Sequence, residues 1–159
     1  DFSFSFGTLS NIDSSSKSYD PGQSISLKFK CPNDINLFGQ DFNQAFSLSF
    51  SNLKSVSPNR NDLAFNSIYY SLESSLDKLS FLDNVPFTFN FFGGISDVEA
   101  AKEENSGINL SLGSSVKYKL PIEKVNLSLD LSFTYVIGDI VYGLYSTGLS
   151  YNKTLNCSK

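Results

Sequence analysis

The stretch Gly107-Ile-Asn-Leu-Ser-Leu-Gly-Ser-Ser-Val-Lys-Tyr-Lys-Leu120 decides the fold. Ile108, Leu110, Leu112, Val116, Tyr118 and Leu120 fall on one side. Asn109, Ser111, Gly113, Ser115, Lys117 and Lys119 fall on the other. A period of two places successive side chains on opposite faces of a β-strand. The next run repeats it, with Val125, Leu127, Leu129, Leu131, Phe133 and Tyr135 opposing Asn126, Ser128, Asp130, Ser132 and Thr134. Pro121-Ile122-Glu123-Lys124 between them suits a hairpin connection. Pairing Leu120 with Val125 keeps both apolar sets on one face, as a register must. That register sets Lys117 opposite Ser128 and Asp130 diagonally beside it.

Shorter runs carry the same signal. Phe2, Phe4 and Phe6 alternate with serines, as do Phe46, Leu48 and Phe50, while Ile25, Leu27 and Phe29 alternate with Ser26, Lys28 and Lys30. Phe87, Phe89 and Phe91 alternate with Thr88 and Asn90, and Tyr145, Leu149 and Tyr151 with Ser146, Gly148 and Ser150. Leu63 to Leu72 is strand-like with apolar residues on both faces, so its orientation stays open. The pattern predicts eight strands, over 1–9, 23–30, 44–56, 62–73, 86–97, 107–120, 124–136 and 140–153. Tyr135 and Val141 share a parity, which demands an odd-length loop or a bulge between the last two. No internal repeat or linker divides the chain, and one β domain is expected over 1–159.

Alternating strands fit two objects. A soluble β-sandwich or lipocalin-like barrel turns its apolar faces inward; an outer-membrane barrel turns them to lipid and encloses its polar faces. The two best runs extend over ~11–14 residues, against ~5–6 for ordinary strands, and the longer figure suits a tilted membrane crossing, which needs ~9–11. Their polar faces are Ser, Asn, Thr and Gly, where water-facing strands carry more Lys and Glu. Small polar side chains fit the cramped interior of an eight-stranded barrel. This predicts an eight-stranded antiparallel up-and-down transmembrane barrel. Phe87, Phe89, Phe91, Leu110, Leu112, Leu127, Leu129, Leu131 and Phe133 would face lipid. Lys28, Lys30, Lys117, Lys119 and Asp130 would lie in a polar lumen, paired because an unpaired buried charge costs several kcal/mol. The soluble sandwich or lipocalin-like fold, a secreted binding module or a coat or filament subunit, is the alternative.

The residues from Pro86 onward resemble the small eight-stranded outer-membrane barrels of Gram-negative bacteria, of the opacity-protein and OmpX/OmpA-barrel type. The resemblance rests on Phe87-Thr-Phe-Asn-Phe-Phe-Gly-Gly94, on the 107–120 run and on Tyr145-Ser-Thr-Gly-Leu-Ser-Tyr151. It is a style of alternation over about half the chain. Such barrels usually finish on an aromatic residue, whereas this chain runs on from Tyr151 through Asn152 to Lys159, and it has no Trp for the interfacial girdles. The resemblance implies a bacterial outer-membrane location.

Composition narrows the chemistry. The 159 residues carry a net charge of −4 with no basic cluster, which argues against a nucleic-acid partner. There is no His, so the commonest general base and metal ligand are missing. The barrel enzymes that the resemblance brings to mind, lipid A acyltransferases and deacylases, rely on a His. No catalytic, metal or cofactor site is therefore expected. No stretch of ~18 apolar residues forms a spanning helix. The chain opens at Asp1 without a leader, and removal of a signal peptide is expected. In an exported protein the isolated pair Cys31 and Cys157 reads as a disulfide. By up-and-down alternation both lie at one rim, opposite the polar connections Asn11–Gly22 and Asp97–Ser106. The expected role is non-enzymatic: an anchor, scaffold or adhesion component with a closed lumen, surrounded by outer-membrane lipid and joined to other envelope proteins.

Overall fold

In the computed structural model the described residues are 1–12, 19–37, 39–56, 62–75, 86–99, 107–122, 125–139 and 141–153. Among these described residues nine strands follow one another: β1 (Phe2–Asn11), β2 (Tyr19–Asp20), β3 (Gly22–Leu37), β4 (Gln40–Ser55), β5 (Leu63–Ser75), β6 (Phe87–Glu99), β7 (Gly107–Lys119), β8 (Leu127–Ile137) and β9 (Val141–Lys153). Every pairing is antiparallel, and the order β4-β3-β1-β9-β8-β7-β6-β5 returns to β4. The eight long strands thus close a barrel. β2 sets Tyr19 and Asp20 beside Ser55 and Lys54. Pro21 divides it from β3, since proline brings no N–H to a ladder.

The stagger of the barrel follows from the registers. From Phe6, in-register partners run through Ile25, Phe50, Asn66 and Asp97 to Ile108. The other way they run through Leu149 and Leu129 to Tyr118. The circuit is displaced by ten residues along β7 (118 minus 108). With a rise of ~3.3 Å per residue and a strand spacing of ~4.8 Å, this tilts the strands by about 40°. Eleven residues at that tilt climb about 28 Å, enough to cross a hydrocarbon layer.

The sidedness is that of a membrane barrel. Leu110 and Leu112 are 52% and 47% exposed, whereas Ser111 between them is fully buried. The same alternation holds for Phe4 and Phe6 around Ser5, for Leu129, Leu131 and Phe133 around Asp130 and Ser132, and for Leu149 and Tyr151 around Ser150. An apolar wall facing outward excludes the soluble sandwich and lipocalin-like alternatives, which would bury it. β5 takes the orientation that the sequence left open. Ile68 and Tyr70 face outward, while Leu63, Phe65, Ser67, Ser71 and Glu73 are buried.

Tight curvature is met by small inward residues. Gly7 faces Gly148 across the β1–β9 seam. A Cβ on Gly7 would stand 2.8 Å from the Gly148 Cα and closer still to the Thr147 carbonyl oxygen. Only glycine admits so close a backbone approach.

Two local expectations are corrected. The β7–β8 hairpin pairs Lys119 with Ser128 and Lys117 with Asp130, two residues from the Leu120–Val125 register. The Leu120 N–H donates to the Leu127 carbonyl at 3.0 Å, so the connection spans six residues instead of four (121–126). A two-residue slip preserves parity, and each side chain keeps its face. At the last junction Ile137 pairs with Val141, leaving the odd, three-residue loop that parity demanded.

Candidate functional site

The interior of the barrel is layered. At the end where β1 begins and β9 finishes, the terminus-side end, ionised groups converge. The Glu73 Oε2 lies 3.4 Å from the Lys28 ammonium and 3.3 Å from that of Lys30. Lys117 Nζ lies 3.9 Å from Asp130 Oδ1. Lys28 and Glu73 are buried, while Lys30 is partly open at the mouth. These groups arrive from five strands, β3, β5, β7 and β8 contributing the charges and β6 the amide of Asn90, which donates to Ser115 Oγ at 3.2 Å.

The middle layer is small and hydroxylic. Ser67, Ser96 and Ser111 link three adjacent strands through Oγ–Oγ contacts of 2.6 and 2.5 Å. Ser132 and Ser146 join β8 to β9 at 2.7 Å. Such ladders satisfy enclosed hydroxyls from one strand to the next. Because serine fills little volume, a chamber of about 130 Å³ remains between Lys28, Lys117 and Asp130 below and Phe65, Val136 and Leu144 above.

The far end is sealed by apolar side chains. Leu9, Leu53, Leu63, Phe65, Val98, Val136, Tyr142 and Leu144 form one buried cluster, with Tyr19 packed against it. Phe65 and Tyr142 meet edge to face, 5.6 Å between centroids. Leu9, Leu53, Val98, Val136, Tyr142 and Leu144 occupy positions whose parity elsewhere on their strands is polar, and Leu63 and Phe65 belong to the run that is apolar on both faces. The sequence pattern therefore hid them.

Of the residues singled out from sequence, Lys28, Lys30, Lys117 and Asp130 come together inside the barrel, and Lys119 lines its mouth. Glu73 was missed. It ends the run whose two faces both look apolar, and no local pattern marks it as the counter-ion of two lysines on another strand. Phe91, Leu110, Leu112, Leu129, Leu131 and Phe133 stand exposed on the outer wall, and Phe87, Phe89 and Leu127 lie half-buried on it. Tyr70 packs at a tilt against Phe46 and Tyr118 against Phe87 toward the terminus-side end, with Tyr135 and Tyr145 exposed nearer the far end. Two tyrosine levels on an apolar wall match interfacial girdles. Among the described residues Cys31 has no disulfide partner. Cys157, the connection 100–106 and residues 13–18 of Asn11–Gly22 lie outside the described residues.

Eight antiparallel strands, a ten-residue stagger, an apolar outer wall and a filled polar lumen define the class: this is the fold of the small outer-membrane β-barrels. No protein-family model matches the chain, and no curated protein sequence matches it. Solved structures do. The Yersinia pestis outer membrane protein Ail, in a phospholipid bilayer nanodisc, superposes with a TM-score of 0.59 at 16% identity, covering 94% of this chain and 97% of that one. The outer membrane enzyme PagL gives 0.59 at 8% identity over the same shares. Neisserial surface protein A gives 0.51 at 13% identity, covering 96% and 95%. At these identities the likeness is one of fold. The resemblance suggested by the C-terminal half extends to nearly the whole chain.

Proposed function

We propose that this chain is a closed outer-membrane barrel that anchors its rim connections at the cell surface for binding or adhesion, and that it performs no catalysis. One observation carries the reading: the apolar side chains look outward while hydroxyls, amides and ion pairs are enclosed. In water that arrangement would expose a continuous apolar wall far beyond what soluble monomers tolerate. In a bilayer it is the stable one, since lipid covers the wall and every strand is paired. Outer-membrane lipid is therefore the first partner.

Both ends of the lumen are blocked, by ion pairs at the terminus side and by the Phe65–Tyr142 cluster at the far side. A barrel so filled leaves its connections as the parts free to act. PagL indicates that enzymes also use this fold. Against that reading, the sequence holds no His to serve as base. Partnership with other envelope proteins fits a barrel with neither pore nor catalytic group.

The test has three readings. The purified chain should need detergent to stay monomeric. It should migrate differently in SDS before and after boiling. In planar bilayers it should pass no current above the lipid background. Stable monodispersity in plain buffer, or steady conductance, overturns the proposal. Gentle extraction of the native membrane should bring companion proteins with it; a lone monomer overturns the scaffold role.

A further inference from the structure

We propose that the terminus-side mouth of the barrel binds a phosphate dianion, either free or carried as a phosphomonoester. Among the described residues the charges enclosed in this half are four lysines, Lys28, Lys30, Lys117 and Lys119, against two carboxylates, Glu73 and Asp130; Asp34 and Asp41, on the same face of the β3–β4 hairpin, stand exposed and line neither cavity. A single Glu73 oxygen serves both Lys28 and Lys30. Asp130 answers Lys117, and Lys119 has no counter-ion among the described residues. The side chains of Asp1 and Lys153, also at the rim, carry opposite charges.

The excess is thus two positive charges (four minus two), gathered around a cavity of about 180 Å³ that opens at the mouth. Lys30, Lys117 and Lys119 line it together with Glu73, Thr88 and Ser128. Poorly polarisable walls on every side focus that field along the barrel axis. A phosphomonoester carries about −1.5 to −2 near neutrality, which balances the excess; a carboxylate or a phosphodiester would leave half of it uncompensated. Lysine ammoniums recognise phosphate as point charges, without the forked geometry that arginine brings to carboxylates. The Thr88 and Ser128 hydroxyls are donors for the remaining oxygens. The deeper Lys28–Glu73 pair is the floor of the site, and the apolar seal beyond the chamber keeps an anion from passing through.

The experiment uses the full chain folded in non-ionic detergent at low ionic strength, titrated calorimetrically with inorganic phosphate. Saturable one-to-one binding is expected. Loss of one ammonium contact should weaken it about tenfold in Lys119→Gln and about a hundredfold in Lys30→Gln/Lys119→Gln. Lys54→Gln, at the opposite end of β4, should bind as the parent does. A shift between unboiled and boiled samples verifies that each variant is folded. A second arm reconstitutes the chain in phosphatidylcholine nanodiscs carrying either phosphatidic acid or phosphatidylglycerol. Binding of inorganic phosphate identifies a soluble ligand. Retention of phosphatidic acid without binding of inorganic phosphate identifies a lipid headgroup. Either result, with the lysine dependence, supports the site. Failure of both ligands, equal retention of phosphatidylglycerol, or parental binding by the double variant overturns it.

Discussion

The Lys28 ammonium and the Glu73 carboxylate face each other at 3.4 Å inside the barrel, their side chains 7% and 6% exposed. The pair ties β3 to β5 across β4, and Lys30 shares the same oxygen. Glu73→Gln would leave the buried Lys28 ammonium beside Lys30 with no carboxylate at ion-pair distance, a change worth about 3–5 kcal/mol of stability. Lys28→Met should cost less, because Lys30 stays beside Glu73. Urea titrations of folding in lipid vesicles, read by the gel shift of unboiled samples, measure the order. Equal or reversed costs would mean that the pair is not the centre of the network.

The β1–β9 seam closes the barrel, and Gly7 and Gly148 meet there. Gly7→Val adds a side chain where the Gly148 Cα would stand 2.8 Å from its Cβ. The neighbour is backbone and cannot swing away, so we expect closure to fail or stability to fall by at least about 2 kcal/mol. Ser5→Ala, one inward position away on the same strand, should be close to neutral. A gel shift retained undiminished by Gly7→Val would contradict the seam geometry.

Unequal costs are expected on the two faces of β8. Leu129→Arg places a charge on the outer wall, where burial near mid-bilayer costs about 2–4 kcal/mol. Ser132→Ala on the inner face removes one hydroxyl contact with Ser146, worth about 1 kcal/mol. Folding yields into vesicles, compared with yields into detergent, separate the two. A soluble fold would tolerate the arginine and lose nothing on lipid removal.

Phe65 and Tyr142 pack edge to face in the far-end seal. Phe65→Ala should cost about 3 kcal/mol, since the surrounding strands are hydrogen-bonded and collapse little into the void. Phe65→Leu should recover most of that. Thermal midpoints in detergent measure both. If the alanine variant matches the parent, the cluster is ornamental.

Cys31 ends the regular part of β3 at the rim where β9 also finishes, with the single strand β1 between them. We expect oxidised full-length chain to resist maleimide labelling until reduced, and Cys31→Ser to expose one reactive thiol at Cys157. Two thiols labelled in the protein taken from an oxidising compartment would show that the cysteines stay apart.

Sequence alone determined the alternation, the number of long strands, and the face on which Leu110, Leu129, Lys117 and Asp130 stand. These follow from the two-residue repeat of an extended backbone, a local property that any run of a dozen residues displays. Tertiary structure decided what local repeats leave free. It set Lys117 opposite Asp130 by adding two residues to a turn, and it oriented β5 so that Glu73 reaches two lysines more than forty positions away. It also turned Leu9, Leu53, Val98, Val136 and Leu144 inward on parities that read as polar. Register and stagger are relations between strands, fixed when the sheet closes on itself and every inward side chain must find room and a partner. A single strand carries no record of which neighbour will supply them.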